Sequence, residues 1–496
     1  VATPKVCGIE TEYGIHAAGG DGNPIAASSL LVNAYMAEVD RRTGWDFEDE
    51  TPGNDARGFA REGAMPPTVE THLANIVLTN GARFYVDHAH PEYSSPECVN
   101  PLQLVLYDKA GEEVLRRSMR AAAALFPDHP AIVVYKNNSD GKGNSYGCHE
   151  NYLMDRTVPF AKVIAGVVPH FVTRQVFTGA GKVGTETAVL DPREVKFQIS
   201  QRAEFFEEVV GLETTLKRPI VNTRDEPHAE PGRFRRLHVI VGDANLSEVA
   251  TLLKVGTTAI VLCLVEDDVP MPRDLALADP VRAMHAVSAD LSLSRPLELA
   301  DGTTATAMDI QWELFAVARK YAEEDGLSAV GDEAVAGLVL DRWESVLHGL
   351  ETDPPSLAHQ LDWVAKHQIM QAYRERHGCG WEDDRLAALD LQYHDLRAER
   401  SLYARLGMER LVDDGAVARA VSEPPRETRA WFRGQCLARW PEAVVAANWD
   451  SLVFDLGTDP LRRVPMMDPL KGTAEHTAAL LEASASPAEL LERLSA

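Results

Sequence analysis

The chain has 496 residues, 45% of them apolar and 25% charged, which is ordinary for a folded protein and too long for one small core. Its 49 basic residues stand against 75 acidic ones, a net charge of −26, and this argues against general nucleic-acid binding, which needs a cationic surface. No long apolar run stands out as a membrane span and the first residues carry no export-signal pattern. The six scattered cysteines, without a C-x-x-C pair, predict reduced thiols in a cytoplasmic protein.

Lys5–Ile15 predicts a strand with Ile9, Thr11 and Tyr13 on one face and Glu10 and Glu12 on the other. Ser28–Glu38 has helical spacing. Asp40–Thr71 is charged, rich in Gly and Pro and without sustained period, so it reads as either a disordered insertion or a functional loop. Asn75–Leu78 and Arg83–Asp87 predict a hairpin around Asn80-Gly81. Alternation then puts Arg83, Tyr85 and Asp87 on one face and Phe84 and Val86 on the other, with Glu92 and Glu97 just beyond. Pro101–Phe126 predicts a long amphipathic helix, and Ile132–Lys136 a strand. The polar Gly-rich loop Asn137–Gly147 leads into His149-Glu150. Pro159–Thr178 predicts a helix kinked at Pro169. Short strands at Phe197–Ser200 and Pro219–Asn222 are followed by a strand at Arg236–Gly242. Asp243 reads as the N-cap of an apolar helix over Leu246–Val265. Residues 270–423 are mostly helical. Pro424-Pro425 predicts a boundary, giving units at 1–425 and 426–496.

Glu10 and Glu12, two apart on a strand, stand about 6.5–7 Å from each other. That spacing suits two hard cations bridged by a phosphate, Mg²⁺ or Mn²⁺ rather than zinc, though a solvated strand face gives the same pattern. The Arg83 guanidinium suits phosphate oxygens, and Asp87 could serve as base or carboxylate nucleophile; a plain Arg–Asp surface pair is the alternative. Arg202, Lys217, Arg218, Arg224, Arg233, Arg235, Arg236 and His238 concentrate positive charge in an acidic chain. Such a set neutralises a nucleotide, receives an acidic partner, or is ordinary solvated charge. There is no G-x-x-x-x-G-K-[ST], so a P-loop is not the nucleotide site.

G-I-E-T-E-Y-G (8–14), N-G-A-R-F-Y-V-D-H-A-H-P-E-Y-S-S-P-E (80–97), Y-K-N-N-S-D-G-K-G-N-S-Y-G-C-H-E-N-Y (135–152), S-Q-R-A-E-F-F-E (200–207), N-T-R-D-E-P-H-A (222–229) and R-R-L-H-V-I-V-G-D-A-N (235–245) together resemble the family of Pup ligases and Pup deamidases, relatives of glutamine synthetase. Pup is the prokaryotic ubiquitin-like protein of actinobacteria. The resemblance implies an α/β (α+β) fold of glutamine-synthetase type: a curved, mainly antiparallel sheet cradle with helices on its convex side and a small C-terminal domain. It implies ATP (or ADP plus phosphate) and Mg²⁺ as cofactors, and Pup and pupylated proteins as partners of a monomeric enzyme. Glu10, Tyr85 and Glu92 match Mg²⁺ ligands, and Glu12, His149 and His238 match further metal or phosphate contacts. Arg83, Ser95 and Trp449 match ATP contacts, with Arg224 beside them; Arg202 and Arg235 are candidates for the Pup groove; Asp87 matches the catalytic aspartate. The D-H-A-H-P-E spacing and the 40–71 insertion resemble the deamidase arm, which hydrolyses the terminal glutamine of Pup and the Pup–lysine isopeptide bond. The ligase arm, acting through a γ-glutamyl phosphate, is the alternative.

Overall fold

The structure, a computed structural model, describes residues 2–17, 19, 22–48, 50–60, 74–457 and 459–495. Its centre is a six-stranded sheet of β1 (Cys7–Glu12), β2 (Asn75–Val77), β3 (Arg83–Asp87), β4 (His90–Ser94), β5 (Cys148–Asp155) and β6 (Phe234–Val239), in the order β6-β5-β1-β4-β3-β2. Every neighbouring pair is antiparallel. One face of each strand is apolar: Cys7, Ile9, Phe84, Val86, Tyr93, Tyr152, Leu237 and Val239 are all buried. Helix α1 (Pro24–Val39) packs under β3 and β4, α2 (Pro101–Leu125) under β1, and α3 (Glu248–Glu266) under β5. Each helix starts where a side chain can satisfy free N–H groups. Asn23 accepts from Ile25 and Ala26, Asn100 from Gln103, and Ser247 from Ala250. With one face covered by helices, the sheet's other face holds the polar residues.

The expected hairpin forms: Gly81 takes φ +83°, a conformation glycine adopts without strain, and the Asn80 carboxamide oxygen accepts from Ala82 N–H at 3.0 Å. Four expectations need correcting. The first strand ends at Glu12, and Gly14–Ala17 leaves the sheet to pair with Ile132–Tyr135. The helix at 160 runs through Pro169 to Thr173 and breaks at Arg174, whose side chain is buried against Glu150. Asp243 is not the N-cap of α3. Its carboxylate accepts from Ala180 N, Gln201 N and Ser200 Oγ, and Ser247 takes the cap. Finally, α3 is long and apolar enough to cross a membrane, yet its whole length is buried inside the protein, so it is a core helix.

The C-terminal residues build a second sheet of Arg462–Pro465, Ser451–Phe454 and Val444–Ala447, joined in parallel by Gly44–Trp45 from the insertion. Its core contains Phe432, Leu437, Leu452, Phe454 and Leu481 together with Trp45 and Val77. The insertion is therefore built into the fold through residue 60, with a small hairpin at Asn54–Asp55 and Phe59–Ala60; its part from 61 to 71 lies outside the described residues.

Candidate active site

Strand register decides which polar residues meet, because directly opposed residues in antiparallel strands point to the same face. Glu10 lies opposite His149 on one side and Ser94 on the other, and Glu12 lies opposite Glu92. Glu92 in turn faces Tyr85, and Ser94 faces Arg83. Asn151 faces His238. Two groups of metal-capable side chains result: Glu10, His149 and His238, and Glu12, Asp87 and Glu92, each with donor atoms within 4.8 Å of one another. The Gly-rich loop closes over both. Gly147 N–H donates to Glu12 Oε1 at 2.8 Å, and a Cβ on Gly147 would fall 2.2 Å from His149 Nε2.

The two groups differ electrostatically. Burial alone would raise the Glu10 pKa, but the His149 contact, then His238 and Arg236, hold it well below the carboxylate range. Asn151 Nδ2 donates to Glu10 Oε1 at 2.8 Å, while its Oδ1 accepts from Arg236 at 2.7 Å and meets His238 Nδ1 at 3.0 Å. Burial, with Arg236 beside it, pushes His238 far down, so its ring is neutral and available to a cation. In the other group burial and the charges of Asp87, Glu12 and Glu10 push Glu92 well above its ordinary value. Asp87 is lowered despite burial, chiefly by His88, whose Nδ1 lies 3.0 Å from it. Three converging carboxylates whose mutual repulsion is this strong form the donor set for a hard divalent cation. The Glu10 group, with two imidazoles, accommodates softer cations as well. Tyr85 is raised far above 10 by burial and Glu92, so it would meet a cation as a neutral phenol.

These groups open into a cleft of about 420 Å³. It is also lined by Arg224, Glu226, His228 and Arg236, the last reaching 3.8 Å from Glu10. Glu226 is buried and ion-paired to Arg224 at 3.1 Å, a contact in which the Nε–H is not aimed at the carboxylate. The insertion roofs the cleft with Trp45, Phe47, Glu50 and Pro52. It is pinned there by Thr51 N–H to Glu226 at 2.6 Å, by Thr223 Oγ1 to Asp55 at 2.8 Å and by the bridge of Asp55 with Arg224. Arg83 is held between aromatic faces, 4.1 Å from the Trp45 ring and 3.8 Å from Tyr85. Trp449 lines the cleft and also a smaller, mainly apolar cavity of about 80 Å³ with Ile9, Ser95, Leu153, Glu97 and Arg429.

Glu10, Arg83, Tyr85, Asp87, Glu92, His149, Arg224, His238 and Trp449 thus line one cleft, and Glu12 joins through the Asp87 group. Glu10 and Glu92, both matched above as Mg²⁺ ligands, fall into different groups. Ser95 lines only the small cavity, where its hydroxyl accepts from Ile9 N–H at 3.0 Å. Arg202 and Arg235 do not reach the cleft. Arg202 is buried, donating to the carbonyls of Ile240 and Gly242, and burial and Arg218 pull its pKa down to about 10. Arg235 points to the opposite face of β6 from Arg236 and donates to the Val158 carbonyl at 2.7 Å. Sequence reasoning left Asn151 and Glu226 unassigned and placed Arg236 only within the basic set. Asn151 and Arg236 each stand two positions from an identified histidine on the same strand, which was the available signal.

A family model described as Pup-ligase protein matches residues 5–453. A depupylase of Acidothermus cellulolyticus is 52% identical over 99% of both chains. A Pup deamidase/depupylase of Mycolicibacterium smegmatis is 48% identical over 99% of both. A Pup–protein ligase of Xylanimonas cellulosilytica is 39% identical over 96% of this chain and 99% of the relative. The crystal structure of the complex between Pup and its ligase PafA matches with a TM-score of 0.81 at 31% identity, covering 99% of this chain and 94% of that one. PafA in complex with ADP matches at 0.74 and 35% identity, covering 82% and 89%. With a family match across nearly the whole length, full-length relatives at about half identity and a shared fold, the chain belongs to the Pup-ligase family.

Proposed function

We propose that this chain is a Pup deamidase and depupylase: it hydrolyses the side-chain amide of the C-terminal glutamine of Pup, and the isopeptide bond joining Pup to a lysine. Both reactions attack the same δ-carbonyl with different nitrogen leaving groups. The observation that carries the reading is the set of relatives: the full-length proteins at 48% identity and above bear depupylase names, while the ligase quoted above stands at 39%. Asp87, partly exposed to the cleft, ionised and held beside His88, fits the chemical role. It attacks the carbonyl and expels ammonia or the lysine amine, leaving an anhydride that water then hydrolyses, or it takes a proton from a water that attacks directly. Arg224 and Arg236 line the same cleft and supply positive charge for the oxyanion.

We assign the small cavity and the adjoining cleft to ATP or ADP plus phosphate, with the base against Trp449 and Ser95 and the phosphates toward Arg83 and Arg224; the ADP complex of PafA supports nucleotide use. Glu12 and Glu92 fit Mg²⁺, with the Asp87 carboxylate beside them kept for the chemical step, and Glu10, His149 and His238 fit a second cation. Bound Mg²⁺ would supply positive charge against phosphate oxygens and the reacting carbonyl. Because amide hydrolysis does not need the energy of ATP, the nucleotide is a cofactor and not a consumed fuel. The insertion, seated across the cleft, gates substrate entry. Six free cysteines, five of them buried, fit a reducing cytoplasm, where the protein works as a monomer.

Incubation with glutamine-ended Pup and Mg-ATP, followed by intact-mass measurement of Pup, tests the reading. Conversion of amide to acid without equivalent ADP is the expected result. Unchanged glutamine-ended Pup, with ADP released only when glutamate-ended Pup and a lysine-bearing target are supplied together, would reassign the chain to ligation.

A further inference from the structure

Glu97 resembles the other carboxylates of its strand-end segment in sequence and differs from all of them in use. Its carboxylate turns away from the two metal-capable groups toward the C-terminal unit. Oε1 accepts from Arg429 Nε at 2.7 Å and from Arg433 at 3.2 Å, and Oε2 pairs with Arg433. The Arg433 side chain is completely buried, and it carries the contact onward: it donates to the Trp449 carbonyl at 2.9 Å and to the Gly81 carbonyl at 2.9 Å, and its guanidinium lies 5.2 Å from the Trp449 ring. Arg429 reaches the Met466 carbonyl at 2.8 Å, and Thr428 Oγ1 donates to the Glu97 carbonyl at 2.8 Å. One carboxylate just past the end of β4 thereby holds Arg433, which fixes the Trp449 carbonyl, and Arg429, which fixes that of Met466. Trp449 is the C-terminal residue common to the small cavity and the cleft.

We propose that Glu97 is a positioning residue for the nucleotide: through Arg433 it sets the place of Trp449 against the small cavity, and so sets affinity for the base end of ATP. This rests on the assignment of that cavity to nucleotide. A bidentate Arg–carboxylate pair fixes direction as well as distance, and that directional restraint is what a neutral carboxamide loses. The chemical step lies at Asp87, on another strand, so the effect falls on binding and not on the reacting atoms.

The experiment compares parent protein, Glu97→Gln and Glu97→Asp, and Arg433→Lys as a second route that keeps the charge and loses the fork. ADP binding is measured by calorimetry, and ATP-dependent deamidation is resolved into KM for ATP and kcat, with thermal melts confirming folded protein. The expected result for Glu97→Gln and Arg433→Lys is an ATP KM raised by about tenfold or more, with a smaller loss in kcat, and partial restoration in Glu97→Asp. Folded variants with parental KM and ADP affinity overturn the role of Glu97. So does a loss confined to kcat and melting temperature, which marks plain structural support. Should Glu97→Gln fail to fold, Arg433→Lys decides by the same criteria. Failure of the parent itself to bind ADP overturns the nucleotide assignment, a result distinct from a parent that binds and variants that bind equally well.

Discussion

At the scale of single residues, the site depends on carboxylates kept in different states by their neighbours. Asp87 stays ionised because His88 and the positive groups beyond it outweigh burial, while Glu92, a few residues away, has carboxylates for neighbours and is pushed up. Replacing Asp87 with asparagine keeps the shape and removes both the nucleophile and the base. Deamidation should fall by about 10²–10⁴-fold. Nucleotide binding should persist, because the small cavity that takes the base does not include residue 87 and only the phosphate end shares the cleft with it. Parental turnover in a folded Asp87→Asn protein would remove this residue from the chemistry. The facing of Asp87, Tyr85 and Arg83 was legible in the sequence, since a strand's period of two needs no partner to be read. The division of labour between Glu10 and Glu92 was not. It follows from the register that sets Glu12 opposite Glu92 and Glu10 opposite His149, and register is a property of strands far apart in sequence.

At the scale of elements, two loops finish what the sheet begins. The first, before β5, must bring its backbone against both donor groups at Gly147. Gly147→Ala would place a methyl 2.2 Å from His149 Nε2 and 2.7 Å from Glu12 Oε1, one ligand from each group. Divalent-cation affinity, read by Mn²⁺ titration calorimetry, should drop about 10–100-fold, as it does when supporting contacts around ligands are lost. Gly337→Ala, on the helix Glu333–Thr352 with nothing within 4 Å, should leave that affinity unchanged. The second is the insertion. Its composition left open whether it was ordered, because its partners are residues 223–226 and the strand Val444–Ala447, which no local pattern reveals. Trp45 from this segment covers one face of Arg83. Trp45→Leu keeps apolar volume in the second core and removes the ring that holds the guanidinium. A cation–π contact of about 0.5–1 kcal/mol corresponds to a two- to five-fold weakening of ATP binding, measurable as KM. An unchanged KM would mean that Tyr85, Phe47 and the Asn75 carboxamide orient Arg83 without the Trp45 ring.

At the scale of the whole molecule, a buried ion pair joins the C-terminal residues to the segment after β4, alongside the apolar cluster they share with Trp45 and Val77. Glu97 looked in sequence like one more acid of the active-site segment, since its arginine partners lie more than 300 positions away and only the fold brings them together. Burial alone would raise its pKa, but Arg433 and Arg429 hold it at about 2. Glu97→Ala would leave two arginines buried without their counter-charge, and losing one partner of such a pair costs about 3–5 kcal/mol. The urea midpoint of the variant should therefore lie well below that of the parent at neutral pH. The sign of the pH dependence follows from the depressed value. In the unfolded chain a glutamate titrates near about 4.3, so the ionised pair contributes its full stabilisation above that pH. Between there and about 2 the unfolded state takes up the proton first, and the contribution fades as the folded pKa is approached. The gap between parent and Glu97→Ala midpoints should accordingly be constant at neutral pH and narrow steadily as the solution is acidified below the usual glutamate range. A gap that keeps its neutral value down to the acid limit of folding would show that the side chain's packing, and not its charge, joins the two units.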